Sequence, residues 1–127
     1  MARGLPTSEV LFELQSHEIR TIAARESCIF VGRCADFVLR DADVEMLRVF
    51  VRGPLEQRIQ RKMHQENLSH EKAAYLVRKM DKQRKKYYET YTGKIWGDEK
   101  GYDFCIDTGT MDLEEAVNQI CGWYREK

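Results

Sequence analysis

The sequence predicts an α/β fold: a parallel sheet of about three strands flanked by helices. Short β-rich apolar runs at Cys28–Val31, Val44–Val51 and Phe104–Ile106 alternate with stretches of helical periodicity, and strands that alternate with helices build parallel sheets. The first two runs stop at turn residues, Gly32 and Gly53-Pro54. The length of 127 residues, with 43% apolar and 33% charged side chains, suits one globular domain over residues 1–127 with a core of its own.

The elements follow in order. Thr7 or Ser8 caps a helix running to about Arg25, with Phe12, Ile19, Ile22 and Ala23 on one face. Cys28–Val31 reads as a buried strand, and residues 34–40 as a short helix. The second strand lies within Val44–Val51. Leu55, Ile59 and Met63 stand at i, i+4 and i+8 of the helix that follows. Ser69 caps a long helix with Ala73, Leu76, Val77 and Met80 as its apolar stripe, ending before Gly93. Phe104–Ile106 is the third strand. Asp112 with Glu115 forms a capping-box pattern for the last helix, which carries Ala116, Val117, Ile120 and Trp123. Three strands make a thin parallel sheet, a sign that part of it is supplied from elsewhere.

Composition excludes several classes. Formal net charge is zero, so nothing global favours nucleic acid or a membrane surface. No apolar run approaches the roughly 20 residues of a membrane span, and residues 1–6 lack the apolar core of a secretory signal. Cys28, Cys34, Cys105 and Cys121 have no zinc or redox spacing, no metal site is expected, and the thiols read as reduced and structural in a cytoplasmic protein. Cys28 and Cys105, inside strand-like runs, are expected to behave as small buried hydrophobes. His17, His64 and His70 read as helix-surface residues without partners.

Four stretches could carry chemistry. Arg33 follows Gly32 at a strand's carboxyl end, where open α/β sheets bind ligands, and its guanidinium fits a phosphate; the alternative is a surface ion pair with Asp36 or Asp41. In the run from Arg78 to Lys86 six of nine residues are basic. Such a run is a solvated face, a polyphosphate clamp, or, with Tyr87, Tyr88 and Tyr91 as stacking platforms, a nucleic-acid surface, the least favoured of the three. The segment from Tyr91 to Asp98 reads as a loop that packs Trp96 on the core or closes over a ligand, with packing favoured. Asp107-Thr108-Gly109-Thr110 is a strand-to-helix loop whose amides could meet a base or a phosphate.

Taken together, FELQSHEIRTIA (12–23), CIFVGRCADFVLRD (28–41), LRVFVRGPLEQRIQR (47–61), MDKQRKKYYETYTGKIWGD (80–98) and YDFCIDTGTMDLEEAVNQI (102–120) resemble the cytidylate-kinase-like family of P-loop nucleoside monophosphate kinases. The resemblance implies a partial P-loop NTPase-type sheet, a helical LID segment at about 69–98, and transfer of a phosphoryl group from ATP, with Mg2+, to a nucleoside monophosphate, CMP or dCMP. It implies that Arg20, Arg33 and Asp36 bind the acceptor nucleotide. An aspartate follows the arginine in cytidylate kinases, whereas Cys34 stands here. Arg84, Lys86 and Asp81 take the LID's catalytic positions, with lysines where the family is richer in arginine. Arg58, Arg61, Thr108, Gly109 and Thr110 lie where donor ATP is held.

No G-x-x-x-x-G-K-[ST] loop occurs in the sequence. The family's P-loop strand is central, between those expected at 28–31 and 46–51, so the resemblance leaves a gap there. Little or no phosphoryl transfer is expected from these residues alone. A missing N-terminal half, a second copy or a swapped element would complete the fold. The alternative function is a non-catalytic module, derived from a kinase, that binds or senses a nucleotide.

Overall fold

The structure is a computed structural model and describes residues 7–126; residues 1–6, read above for a secretory signal, lie outside that range. The chain forms two compact units, one ending at Met46 and the other beginning at Leu47.

The first unit is helical. Helix α1 spans Thr7–Arg25 and helix α2 Ala35–Val38. Ile19, Ala35, Val38 and Leu39 form its core, with Phe12, Ala23, Phe30, Val44 and Met46 packed around them. Ser16, also buried on α1, donates its hydroxyl to the Phe12 carbonyl at 2.8 Å, so the buried polar group has a partner.

The expected first strand does not form. Residues 27–31 belong to no sheet, and within them Ile29 is 92% and Val31 90% exposed while Phe30 packs on the core. An apolar, β-branched run supplies strand propensity, but a strand exists only through a neighbour that takes its N–H and C=O groups. Among the described residues none lies alongside this one. Cys28 is correspondingly exposed, against the expectation of burial, and all four cysteines are free.

The second unit holds the sheet. Strands β1 (Val49–Arg52) and β2 (Phe104–Asp107) pair in parallel, with Val49 opposite Phe104 and Val51 opposite Ile106. Among the described residues the sheet therefore has two strands rather than three. Arg48 closes its amino end, its amide donating to Asp103 Oδ2 at 2.7 Å and its guanidinium pairing with Asp103 Oδ1 at 3.3 Å. Helix α3 (Leu55–Glu66) and helix α4 (His70–Thr92) follow β1. They pack through Ile59, Ala73 and Val77, with Leu55, Met63 and Leu68 around them, the positions that helical periodicity marks. Ser69 caps α4 by accepting from the Lys72 amide at 3.2 Å, and Gly93 ends it in the left-handed conformation. His70, expected to lack a partner, lies 2.9 Å from Glu56 Oε1.

Helix α5 (Leu113–Glu126) begins where Asp112 Oδ1 accepts from the Glu115 amide at 2.8 Å. Its Trp123 ring stacks on Phe104 of β2 with centroids 3.9 Å apart.

Trp96 packs rather than standing open: its ring meets Phe50 of β1 edge-on, 5.7 Å between centroids. Glu89 fastens this loop to α4, its Oε2 accepting from Lys85 Nζ at 2.8 Å and from the Trp96 amide at 3.1 Å. The Lys85 ammonium and then that amide hold the Glu89 carboxyl below its ordinary range. A carboxyl that titrates lower when folded stabilises the fold above its unfolded value and ceases to as the pH falls through the folded one. Acidification is thus expected to loosen the 93–98 loop before the helices melt. Trp96 fluorescence in a Trp123→Phe background measures it, and Glu89→Gln should abolish that early step.

Candidate functional site

In the first unit, Gly32, Arg33 and Cys34 are all left-handed, at φ 73°, 58° and 56°. For the two non-glycine residues this conformation costs about 1–2 kcal/mol each, a local strain of the kind that gathers at ligand-binding turns. The turn leads into α2, the Ala35 amide donating to the Gly32 carbonyl at 3.3 Å. It buries Cys34 and leaves Arg33 exposed. The surface ion pair weighed for Arg33 is not formed: no described carboxylate lies within ion-pair distance of it, and Asp41 pairs with Arg40 at 3.7 Å. Arg20 is exposed on α1, and Asp36 is half-buried in α2.

Burial, and then the Asp36 charge, push the Cys34 thiol up to about 11. Both disfavour the thiolate, so Cys34 resists alkylation twice over, by access and by protonation. Iodoacetamide at mildly alkaline pH is expected to label the exposed Cys28 and Cys121 and to spare Cys34 until denaturant is added, as read by peptide mass spectrometry. Because the folded thiol holds its proton longer than the unfolded one, its contribution to stability is complete below the ordinary thiol range and fades as the pH rises toward about 11.

In the second unit the side chains gather at the carboxyl end of the sheet. Arg58, on the first turn of α3, donates from Nε to the Gly53 carbonyl at 3.0 Å and from Nη1 to both oxygens of Asp81 at 2.9 Å. The pair is about two-thirds buried, its side chains 31% and 28% exposed. Arg84, one turn along α4 from Asp81, holds its Nη1 3.9 Å from Asp81 Oδ1 and is 58% exposed. One carboxylate thus fixes one guanidinium firmly and a second loosely, both beside the strand end where open α/β sheets take ligands.

The 108–110 loop belongs to the same end. The Thr108 amide and hydroxyl donate to the Arg52 carbonyl at 2.8 and 3.3 Å. Asp107 Oδ1 accepts from the Gly109 amide at 2.8 Å, and the Asp107 carbonyl accepts from Thr110 Oγ1 at 3.2 Å. Gly53 and Gly109 permit the close approach: a Cβ on Gly53 would overlap Thr108 Oγ1, and one on Gly109 would stand 2.6 Å from Pro54 Cγ.

Of the residues expected at the site, Arg58, Asp81 and Arg84 come together, with Thr108–Thr110 at the same sheet end. Arg61 is exposed further along α3. Lys86 stands two residues beyond Arg84, about 200° round the helix, on its exposed side. Arg20, Arg33 and Asp36 lie in the other unit. The sequence reading missed Asp107 as the organiser of the loop; its sign was an aspartate two residues before a glycine in a turn. The described residues contain no group of three His, Cys, Asp or Glu side chains able to hold a metal ion, and no helix among them is long and apolar enough to cross a membrane.

The profile of the cytidylate kinase-like family matches residues 1–110. The chain belongs to the cytidylate kinase-like family. A cytidylate kinase of Thermococcus sibiricus is 32% identical over 91 residues, covering 70% of this chain. The chain spans about half the length of that relative, 46% of it being covered. A crystal structure of an uncharacterized protein from Eubacterium ventriosum superposes with a TM-score of 0.88 at 31% identity, over 97% of this chain and 69% of the other.

Proposed function

We propose that these residues form the acceptor side and the lid of a cytidylate-type nucleoside monophosphate kinase, which moves a phosphoryl group from ATP to CMP or dCMP. The observation that carries this reading is the Arg58–Asp81–Arg84 cluster at the carboxyl end of a parallel sheet, in a member of the cytidylate kinase-like family. Phosphoryl transfer spreads negative charge over the transferred oxygens, and the protein's work is to place cations against it. Asp81 positions Arg58, whose Nε is fixed by Gly53, and Arg84, exposed and only loosely held, joins Arg58 in meeting the phosphates. Arg33, without an ion pair, takes the acceptor phosphate, with Arg20 and Asp36 as further acceptor contacts. Arg61 and the 108–110 loop belong to the donor side.

Magnesium and ATP fit these residues only in part. Mg2+ at phosphate sites is held by one or two carboxylates together with the substrate's own phosphates. Here Asp81 already gives both oxygens to Arg58, and the sequence has no loop to cradle the ATP phosphates. No step is therefore assigned to the metal. Phosphoryl transfer by these residues alone is not expected; a complementing P-loop segment, from a longer chain, a partner or a swapped copy, restores it. The exposure of Ile29 and Val31 supports a strand arriving there. The setting proposed is the cytoplasm. A second reading is a kinase-derived module that binds a nucleotide without chemistry.

Calorimetric titration of the purified chain with CMP, dCMP and ATP, with size-exclusion chromatography of the same sample, tests this. CMP or dCMP is expected to bind, and Arg33→Ala to weaken the binding about tenfold or more, as loss of a charged phosphate contact does. A folded chain that binds no nucleotide overturns both readings.

A further inference from the structure

Helix α4 carries two separate sets of cations. At 100° per residue, Asp81 and Arg84 fall on the side of the buried Ala73 and Val77, toward α3. Lys72, Tyr75, Lys79, Lys82 and Lys86, at successive steps of three or four, fall within a stripe about 80° wide on the far side. All five are exposed, Tyr75 by 63%. The row is about 21 Å long at 1.5 Å per residue. Between Lys72 and Tyr88 the only acid is Asp81, which faces Arg58. No described carboxylate lies within ion-pair distance of the four lysines. Elsewhere on these helices several charges are paired: Glu56 with His70, Lys62 with Glu66, Lys85 with Glu89. A solvated helix face normally mixes both signs in that way; from Lys72 to Lys86 the charges of this stripe are cations alone, with the exposed Glu71 before it and the half-buried Glu89 after it, in a chain whose net charge is zero.

We propose that the outer face of α4 binds single-stranded nucleic acid. The lysines, one per helical turn or closer, follow a phosphodiester backbone. The Tyr75 ring, with Lys79 Nζ 5.9 Å from its centroid, offers a flat face for a base. An aromatic ring in a row of cations is how sequence-tolerant single-strand binders are built. The surface differs from the one favoured least in the sequence, since Tyr87, Tyr88 and Tyr91 take no part in it. It rests on the far side of α4 and not on the nucleotide cluster.

Fluorescence anisotropy of a short labelled oligothymidylate with the whole chain, over a range of salt concentrations, tests it. Four lysine–phosphate contacts predict that log K falls with log salt at a slope of about −3. The variant Lys72→Gln/Lys79→Gln/Lys82→Gln, which keeps good helix formers, should bind at least about tenfold more weakly with a slope near about −1. Tyr75→Ala should weaken binding about fivefold or more with the slope unchanged. Excess CMP should not displace the oligonucleotide. No binding at low salt, binding that the triple variant leaves intact, or displacement by CMP would each overturn the proposal. So would binding of phosphatidylserine vesicles through the same lysines without binding of the oligonucleotide.

Discussion

Replacing Ile106 by alanine is expected to destabilise the second unit by about 2–5 kcal/mol, the cost of emptying a well-packed aliphatic site. Ile106 is 1% exposed and is the largest fully buried side chain among the described residues. It lies opposite Val51 in a sheet with two strands among the described residues, where few neighbouring strands can close over the cavity. A small domain holds about 5–15 kcal/mol in all, and the loss is a large part of that. Urea denaturation followed by far-ultraviolet circular dichroism measures it. Ile29→Ala removes an aliphatic side chain that is 92% exposed and is expected to change stability by no more than about 0.5 kcal/mol. Equal effects of the two substitutions would mean that the core has been placed wrongly.

The contrast between these isoleucines shows which features were legible in the sequence. Both stand in short β-rich runs, and periodicity cannot tell one run from the other. What separates them is a neighbouring strand: β2 has β1, and the 28–31 run has none among the described residues. Helices were legible because their causes are local. Ser69 and Asp112 cap within three residues of themselves, and Gly93 ends α4 by its own left-handed backbone. The site followed the same division. Asp81 and Arg84, three apart on one helix, could be grouped from spacing. Arg58, 23 residues before Asp81, reaches it only because α3 and α4 pack through Ile59, Ala73 and Val77. Lys86 has the charge expected of the Arg84 cluster but stands on another face, a consequence of helical pitch that a count of basic residues conceals.

Arg58→Ala is expected to lower stability by about 1–3 kcal/mol, because it leaves a largely buried Asp81 carboxylate with only the loosely held, more exposed Arg84 as counter-charge. It should also weaken nucleotide binding about tenfold or more, since the uncompensated carboxylate then faces the phosphates. Adding Asp81→Asn separates the two effects. The amide carries no charge to strand, so the double variant should recover much of the lost stability. Binding should stay weak, because the guanidinium that would meet the phosphate is still absent. The coupling between the substitutions comes from a double-mutant cycle in urea, and the affinities come from titration with CMP. A cycle with no coupling would remove Asp81 as the residue that positions Arg58. Full recovery of binding in the double variant would remove Arg58 from the phosphate site and leave Arg84 as its cation.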